Sequence, residues 1–86
     1  MDGGVIVGIR KTVADRILFL CGEKNLTFHA LARISAVPPS TLKNIISGGS
    51  ANPGIVTIKK LCDGLDISIV EFFDTDEFLA LEQEIV

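Results

Sequence analysis

The side chains best placed to do chemistry are Ser40, Lys43, Asn44 and Ser47, which recur at i, i+3, i+4 and i+7 and so share one face of a helix. That face offers hydroxyls, a primary amide and an ammonium, with no carboxylate among them. Such a set donates and accepts hydrogen bonds and attracts anions, but it holds no acid–base pair to move a proton. The same residue types also make up a plain solvated helix face in any small bundle. Covalent and metal chemistry have less to work with. His29 is the sole histidine, and Cys21 and Cys62 stand 41 positions apart without Cys-x-x-Cys spacing. No glycine motif cradles a phosphate, and Gly48-Gly49 reads as a helix stop. We therefore expect a non-enzyme with no catalytic residue, no metal and no small-molecule cofactor, its two thiols reduced.

Composition narrows the frame around these residues. The chain has 86 residues, 48% of them hydrophobic, and a formal net charge of -3. That suits one globular domain. Charge is unevenly spread: residues 1–62 hold all eight Lys/Arg against Asp2, Asp15 and Glu23, giving +5, whereas residues 63–86 hold eight carboxylates and no cation, giving -8. An anion-binding face on the first part is thus compatible with an acidic total. The longest apolar run, Ile17 to Cys21, is five residues, where a bilayer span needs about 20. The N-terminus Met1-Asp2-Gly3-Gly4 lacks a basic region before an apolar stretch. A cytoplasmic protein with no membrane partner is expected.

The periodicity that must position the polar stripe is helical. Val13, Ile17 and Leu20 predict a first helix over Thr12 to Lys24. Thr27 can cap a second, Phe28 to Ser35. Pro38-Pro39 opens a third, because proline is tolerated where first-turn amides have no acceptor; Leu42, Ile45 and Ile46 form its apolar stripe. Ile58, Leu61, Cys62 and Leu65 mark a fourth. Ser68-Ile69-Val70-Glu71 is a capping box for a fifth. Asp74-Thr75-Asp76-Glu77 repeats that logic, with Asp74 as cap, for an acidic sixth helix of two to three turns. The one candidate strand is Val5-Ile6-Val7, in a glycine-flanked arm. Val13, Ile17, Leu20, Leu31, Val37, Leu42, Ile45, Ile58, Leu61, Leu65 and Phe72 are the expected core.

The run Leu31-Ala32-Arg33-Ile34-Ser35-Ala36-Val37-Pro38-Pro39-Ser40-Thr41-Leu42-Lys43-Asn44-Ile45 is followed by Gly48, by Asn52-Pro53, by Leu61 to Ser68 and by Phe72-Phe73. In that order and register it resembles the Xre family, the phage-repressor-like helix-turn-helix transcriptional regulators. The resemblance covers roughly residues 12–73. It implies an all-α fold: a five-helix repressor-like DNA-binding domain over residues 12–73, an N-terminal arm at 1–11, and a short acidic C-terminal helix at 74–86. It implies sequence-specific binding of double-stranded DNA, with Pro39 to Ser47 as the recognition helix in the major groove. Ser40, Thr41, Lys43, Asn44, Ser47, Thr27 and Asn52 are the DNA-binding candidates it marks. Asn44 can pair with adenine, Lys43 with guanine or phosphate, and Ser40 and Thr41 with base or backbone. The chain departs from its relatives where Phe28 and Pro39 replace polar contact residues and where Ala36 replaces the turn glycine. It departs also in the loop at residues 48–52, which carries no Lys or Arg. Arg10, Lys11, Arg16, Lys59 and Lys60 are the cations that could compensate toward phosphate.

Leu18 and Phe19 make the first helix apolar on nearly all sides. Two readings stand: a tail or arm of the same chain covers them, or they build a homodimer. The expected function is a dimeric repressor. The alternative is a helix-turn-helix-derived protein-interaction module without DNA binding, which the Pro38-Pro39 start, the cation-free loop and the acidic tail favour.

Overall fold

The computed structural model describes residues 8–47 and 52–85, and these form helices with no strand among them: α1 (Ile9–Glu23), α2 (Phe28–Ser35), α3 (Pro39–Ser47), α4 (Ile55–Leu65), α5 (Ile69–Phe73) and α6 (Asp76–Leu79). The candidate strand Val5-Ile6-Val7 and the helix stop Gly48-Gly49 lie outside the described residues. The fold is all-α, as the periodicity required.

Three helix ends follow one plan. Asn25, Ala36 and Asp66 close α1, α2 and α4 at φ of 53°, 56° and 59°. In each case the next residue turns its amide back to the helix: Leu26 to the Cys21 carbonyl, Val37 to Ala32 and Ile67 to Cys62, at 2.9, 3.1 and 3.0 Å. These are Schellman-type ends, in which left-handed backbone lets otherwise orphaned carbonyls find donors. The residue after the turn is apolar each time and packs on the core, Val37 fully and Leu26 and Ile67 in part. One left-handed residue, one apolar anchor and one further residue thus suffice to redirect the chain into the next helix. Asparagine and aspartate tolerate this conformation; at Ala36 it costs on the order of 1 kcal/mol.

Two boundaries differ from the sequence-based expectation. α1 opens at Ile9 rather than Thr12, because extended Gly8 caps it and the Thr12 hydroxyl donates to the Gly8 carbonyl at 3.2 Å. α6 is a single turn of four residues, not two to three turns. Its cap is Thr75, whose oxygen accepts from the Phe78 amide at 3.3 Å, and not Asp74, whose own amide closes α5 on the Glu71 carbonyl. Phe78 holds this turn by packing against Phe73 at 4.9 Å and Phe72 at 6.1 Å. Leu79 and Ile85 are 82% and 87% exposed and Leu81 is only half-buried, so little docked apolar face sustains further turns, and a short helix does not persist without one.

All eleven expected core residues are buried, joined by Ala14, Cys21, Ala32 and Cys62. Both cysteines are free, and burial pushes both thiols up from their ordinary range, which keeps them neutral and poorly nucleophilic. Two contacts tie the frame together. Arg16 donates from Nε to the Phe72 carbonyl and from Nη2 to the Glu71 carbonyl, both at 2.9 Å, so the first helix holds the end of the fifth. Gly64 lies so close to α2 that a Cβ there would stand 2.9 Å from the Ser35 Cβ and 3.1 Å from its Cα. The Ser35 hydroxyl, buried at this crossing, donates to the Leu31 carbonyl at 2.6 Å.

Candidate nucleic-acid interface

α2 and α3 form a unit fixed from both ends. The Thr27 hydroxyl oxygen accepts from the Ala30 amide at 3.1 Å, starting α2. The left-handed Ala36 ends it, and Pro39 is already the first residue of α3. Within α3, Leu42 and Ile45 are buried and Ile46 half-buried. These three fix the rotation of the helix about its own axis. The opposite side must then face solvent, and Ser40, Lys43, Asn44 and Ser47 are all exposed. The polar stripe read from spacing is therefore a real surface, carried on a helix too short to bend and anchored by a fully buried leucine.

The remaining candidates are placed unequally. Thr41 is half-buried. Thr27 is exposed, but its oxygen serves as a cap, leaving the hydroxyl proton to donate outward. The Ser47 hydroxyl donates back to the Asn44 carbonyl at 3.4 Å. Asn52 is exposed and shares a cavity rim with Ser47, Arg10 and Lys11, where the end of α3 meets the start of α1. Ser40, Lys43 and Ser47 share a second, open concavity with Phe28, His29 and Pro39. The fold thus gathers two groups along α3, one running from Pro39 to Ser47 and one at the C-terminal end, with Ile46 and Ser47 common to both.

The compensating cations are corrected in part. Arg16 is spent on the carbonyls of α5. Lys11 pairs with Asp15 at 3.0 Å on the exposed side of α1, and Lys59 pairs with Asp63, a bond that raises the lysine's pKa. These i, i+4 pairs are exposed and worth little to stability, yet each sets an anion beside a cation that phosphate would need. Arg10 lines the cavity that Asn52 and Ser47 share, with Asp15 and Glu84 on it as well. The resemblance put Phe28 at a position where relatives carry a polar contact residue, and Phe28 does line this face; His29 was not placed there. The available signal was that His29 follows Phe28 in the first turn of α2, immediately after its cap.

A short tight-turned pair of helices whose second member presents a polar face is the architecture of a helix-turn-helix. Residues 16–77 match the family of Cro/C1-type HTH DNA-binding domains, and the chain belongs to that family. Two solved structures share the fold. The prophage Lp1 protein 11 is 31% identical with a TM-score of 0.75, over 81% of this chain and 92% of that one. A mutant of the restriction-modification controller protein C.Esp1396I is 25% identical with a TM-score of 0.78, over 91% of this chain and all of the other. No curated protein matches the chain. Among the described residues, no helix is long and apolar enough to cross a membrane.

Proposed function

We propose that the protein is a sequence-specific DNA-binding transcriptional regulator, a cytoplasmic dimeric repressor that lays α3 in the major groove and carries no enzymatic activity. The observation that carries this reading is the outward face of α3, exposed and free of carboxylates, on a Cro/C1-type HTH frame. Ser40, Thr41, Lys43 and Asn44 serve bases and adjacent phosphates, Ser47 and Asn52 the backbone beyond the end of α3, and Thr27 a phosphate at the start of α2. The restriction-modification controller among the structural neighbours supports a regulatory role.

Dimerism follows from the sparse contact set. One such helix touches only a few base pairs, so useful affinity requires two copies on half-sites about one DNA turn, ~34 Å, apart. Leu18 and Phe19 are 50% and 57% exposed, and Leu79 and Ile85 remain open as well. These apolar groups supply the surface for a second copy. The carboxylates of residues 63–86 repel phosphate wherever they stand, and Glu84 stands on the cavity that Arg10, Ser47 and Asn52 also line.

The test is an electrophoretic shift on the DNA upstream of the protein's own gene, repeated from about 50 to 200 mM salt, where phosphate contacts make affinity fall with salt. Sedimentation of the wild type and of a Leu18→Glu, Phe19→Glu variant at tens of micromolar accompanies it. A dimeric wild type and a folded, weakly binding monomeric variant are expected. No shift at any salt overturns DNA binding and leaves the protein-interaction module; a monomeric wild type overturns the dimer alone.

A further inference from the structure

The concavity between the first turn of α2 and the outward side of α3 holds apolar surface on an otherwise polar face. Phe28 and His29 of α2 line it together with Pro39, Ser40, Lys43, Ile46 and Ser47 of α3. The Phe28 ring is half-buried and packed against the core. It also meets the His29 ring edge-on, with centroids 5.2 Å apart and planes at 62°. Its position is therefore set before any ligand arrives, and it cannot retreat without giving up that packing. Pro39 is held equally firmly by its ring and by its place at the start of α3.

A fixed apolar floor beside a hydroxyl is poorly matched to a phosphate, whose oxygens seek donors alone. The four bases present different edges to the major groove. Guanine shows two acceptors, adenine an acceptor and a donor, and cytosine an amino donor without a methyl group. Thymine alone sets a methyl group beside an acceptor oxygen, O4. A hydroxyl can pair with any of these edges, but an apolar contact beside it favours the one that also carries a methyl group.

We propose that Phe28 and Pro39 seat the C5-methyl group of a thymine while the Ser40 hydroxyl donates to its O4, so that this concavity reads thymine at one position of each half-site. Lys43, at the rim, holds a neighbouring phosphate. The assignment rests on the DNA-binding reading above and names the base recognised at this point of the interface.

The test uses a duplex selected by the full chain from a random pool, in which each thymine is replaced in turn by uracil. That change deletes the methyl group and nothing else. Wild-type affinity is expected to fall about three- to fivefold at one position per half-site, the worth of one buried methyl, and nowhere else in the site. Phe28→Gln and Pro39→Ala should bind the thymine and uracil duplexes within about twofold of each other. Helical circular dichroism of both variants is recorded first, and if Phe28→Gln does not fold, Pro39→Ala decides alone. A wild type that binds its selected duplex but is indifferent to every replacement overturns the proposal, as do folded variants that retain full discrimination. A wild type that selects no sequence at all overturns the DNA-binding reading instead.

Discussion

The outer face of α3 and the far face of α1 stand on the same core and could hardly differ more. On α3, buried Leu42 and Ile45 turn Ser40, Lys43, Asn44 and Ser47 outward, so the exposed surface is polar and cationic. On α1, buried Val13, Ile17 and Leu20 do the same orienting work, yet what they turn outward includes Leu18 and Phe19, half or more exposed, beside a segment rich in carboxylates. The α3 face itself carries no carboxylate, although Asp15 and Glu84 line the cavity at its C-terminal end; the α1 face offers apolar surface instead. The difference teaches that one core can orient two unlike surfaces: a polar helix face free of carboxylates, and an apolar one left half exposed.

The sharpest way to break that comparison is to remove the anchor of the reading face. Leu42 is fully buried, and Leu42→Ala should cost about 2 to 5 kcal/mol in chemical denaturation, with DNA binding lost as α3 loosens. Unchanged stability would mean that the orientation of α3 is set by something other than its apolar stripe. Next in size is the α2–α4 crossing that supports the same face from behind. Gly64→Ala brings a Cβ against backbone atoms of Ser35, and overpacking of this kind should destabilise by about 1 to 3 kcal/mol. A neutral result in a melting experiment would show that the crossing yields.

Substitutions on the face itself should separate recognition from stability. Asn44→Ala is expected to flatten discrimination at one operator position by about 1 to 3 kcal/mol. Lys43→Ala should weaken binding to all sequences and lower the salt slope by about one counterion. Neither should move the unfolding midpoint, since both side chains are exposed. If the double variant binds as the wild type does, the reading face lies elsewhere. The smallest effect is a gain: Ala36 at φ 56° carries a strain that glycine lacks, so Ala36→Gly should stabilise by about 0.5 to 1 kcal/mol and leave DNA affinity unchanged.

The helices, their order and their core were legible in the sequence because each rests on local causes. Thr27 and Ser68 cap where a hydroxyl can reach a first-turn amide, at 3.1 and 2.9 Å. Pro39 starts α3 because its ring suits a first turn, and the 3.6-residue period picks out Leu31, Leu42, Ile58 and Leu65 as inward. The polar stripe of α3 was legible for the same reason, as the complement of that period. The length of α6 was not. Its caps and acidic first turn are local, but whether a second turn persists depends on an apolar face finding something to pack on, and Leu79 and Ile85 find nothing among the described residues.

Tertiary structure alone decided the rest, wherever a residue's role depends on a partner distant in the chain. Arg16 looked available to phosphate until two carbonyls 55 and 56 positions away claimed it. Gly64 stands inside α4, where glycine costs about 1 kcal/mol relative to alanine, and its place is explained by α2, which leaves no room for a side chain. Phe28 and Pro39 stand eleven residues apart in the sequence and meet at one concavity only because the turn at Ala36 swings α3 across the start of α2. Periodicity says which side of a helix faces inward. What the outward side meets is set by the packing of whole helices, and that packing sums many weak contacts that no local pattern records.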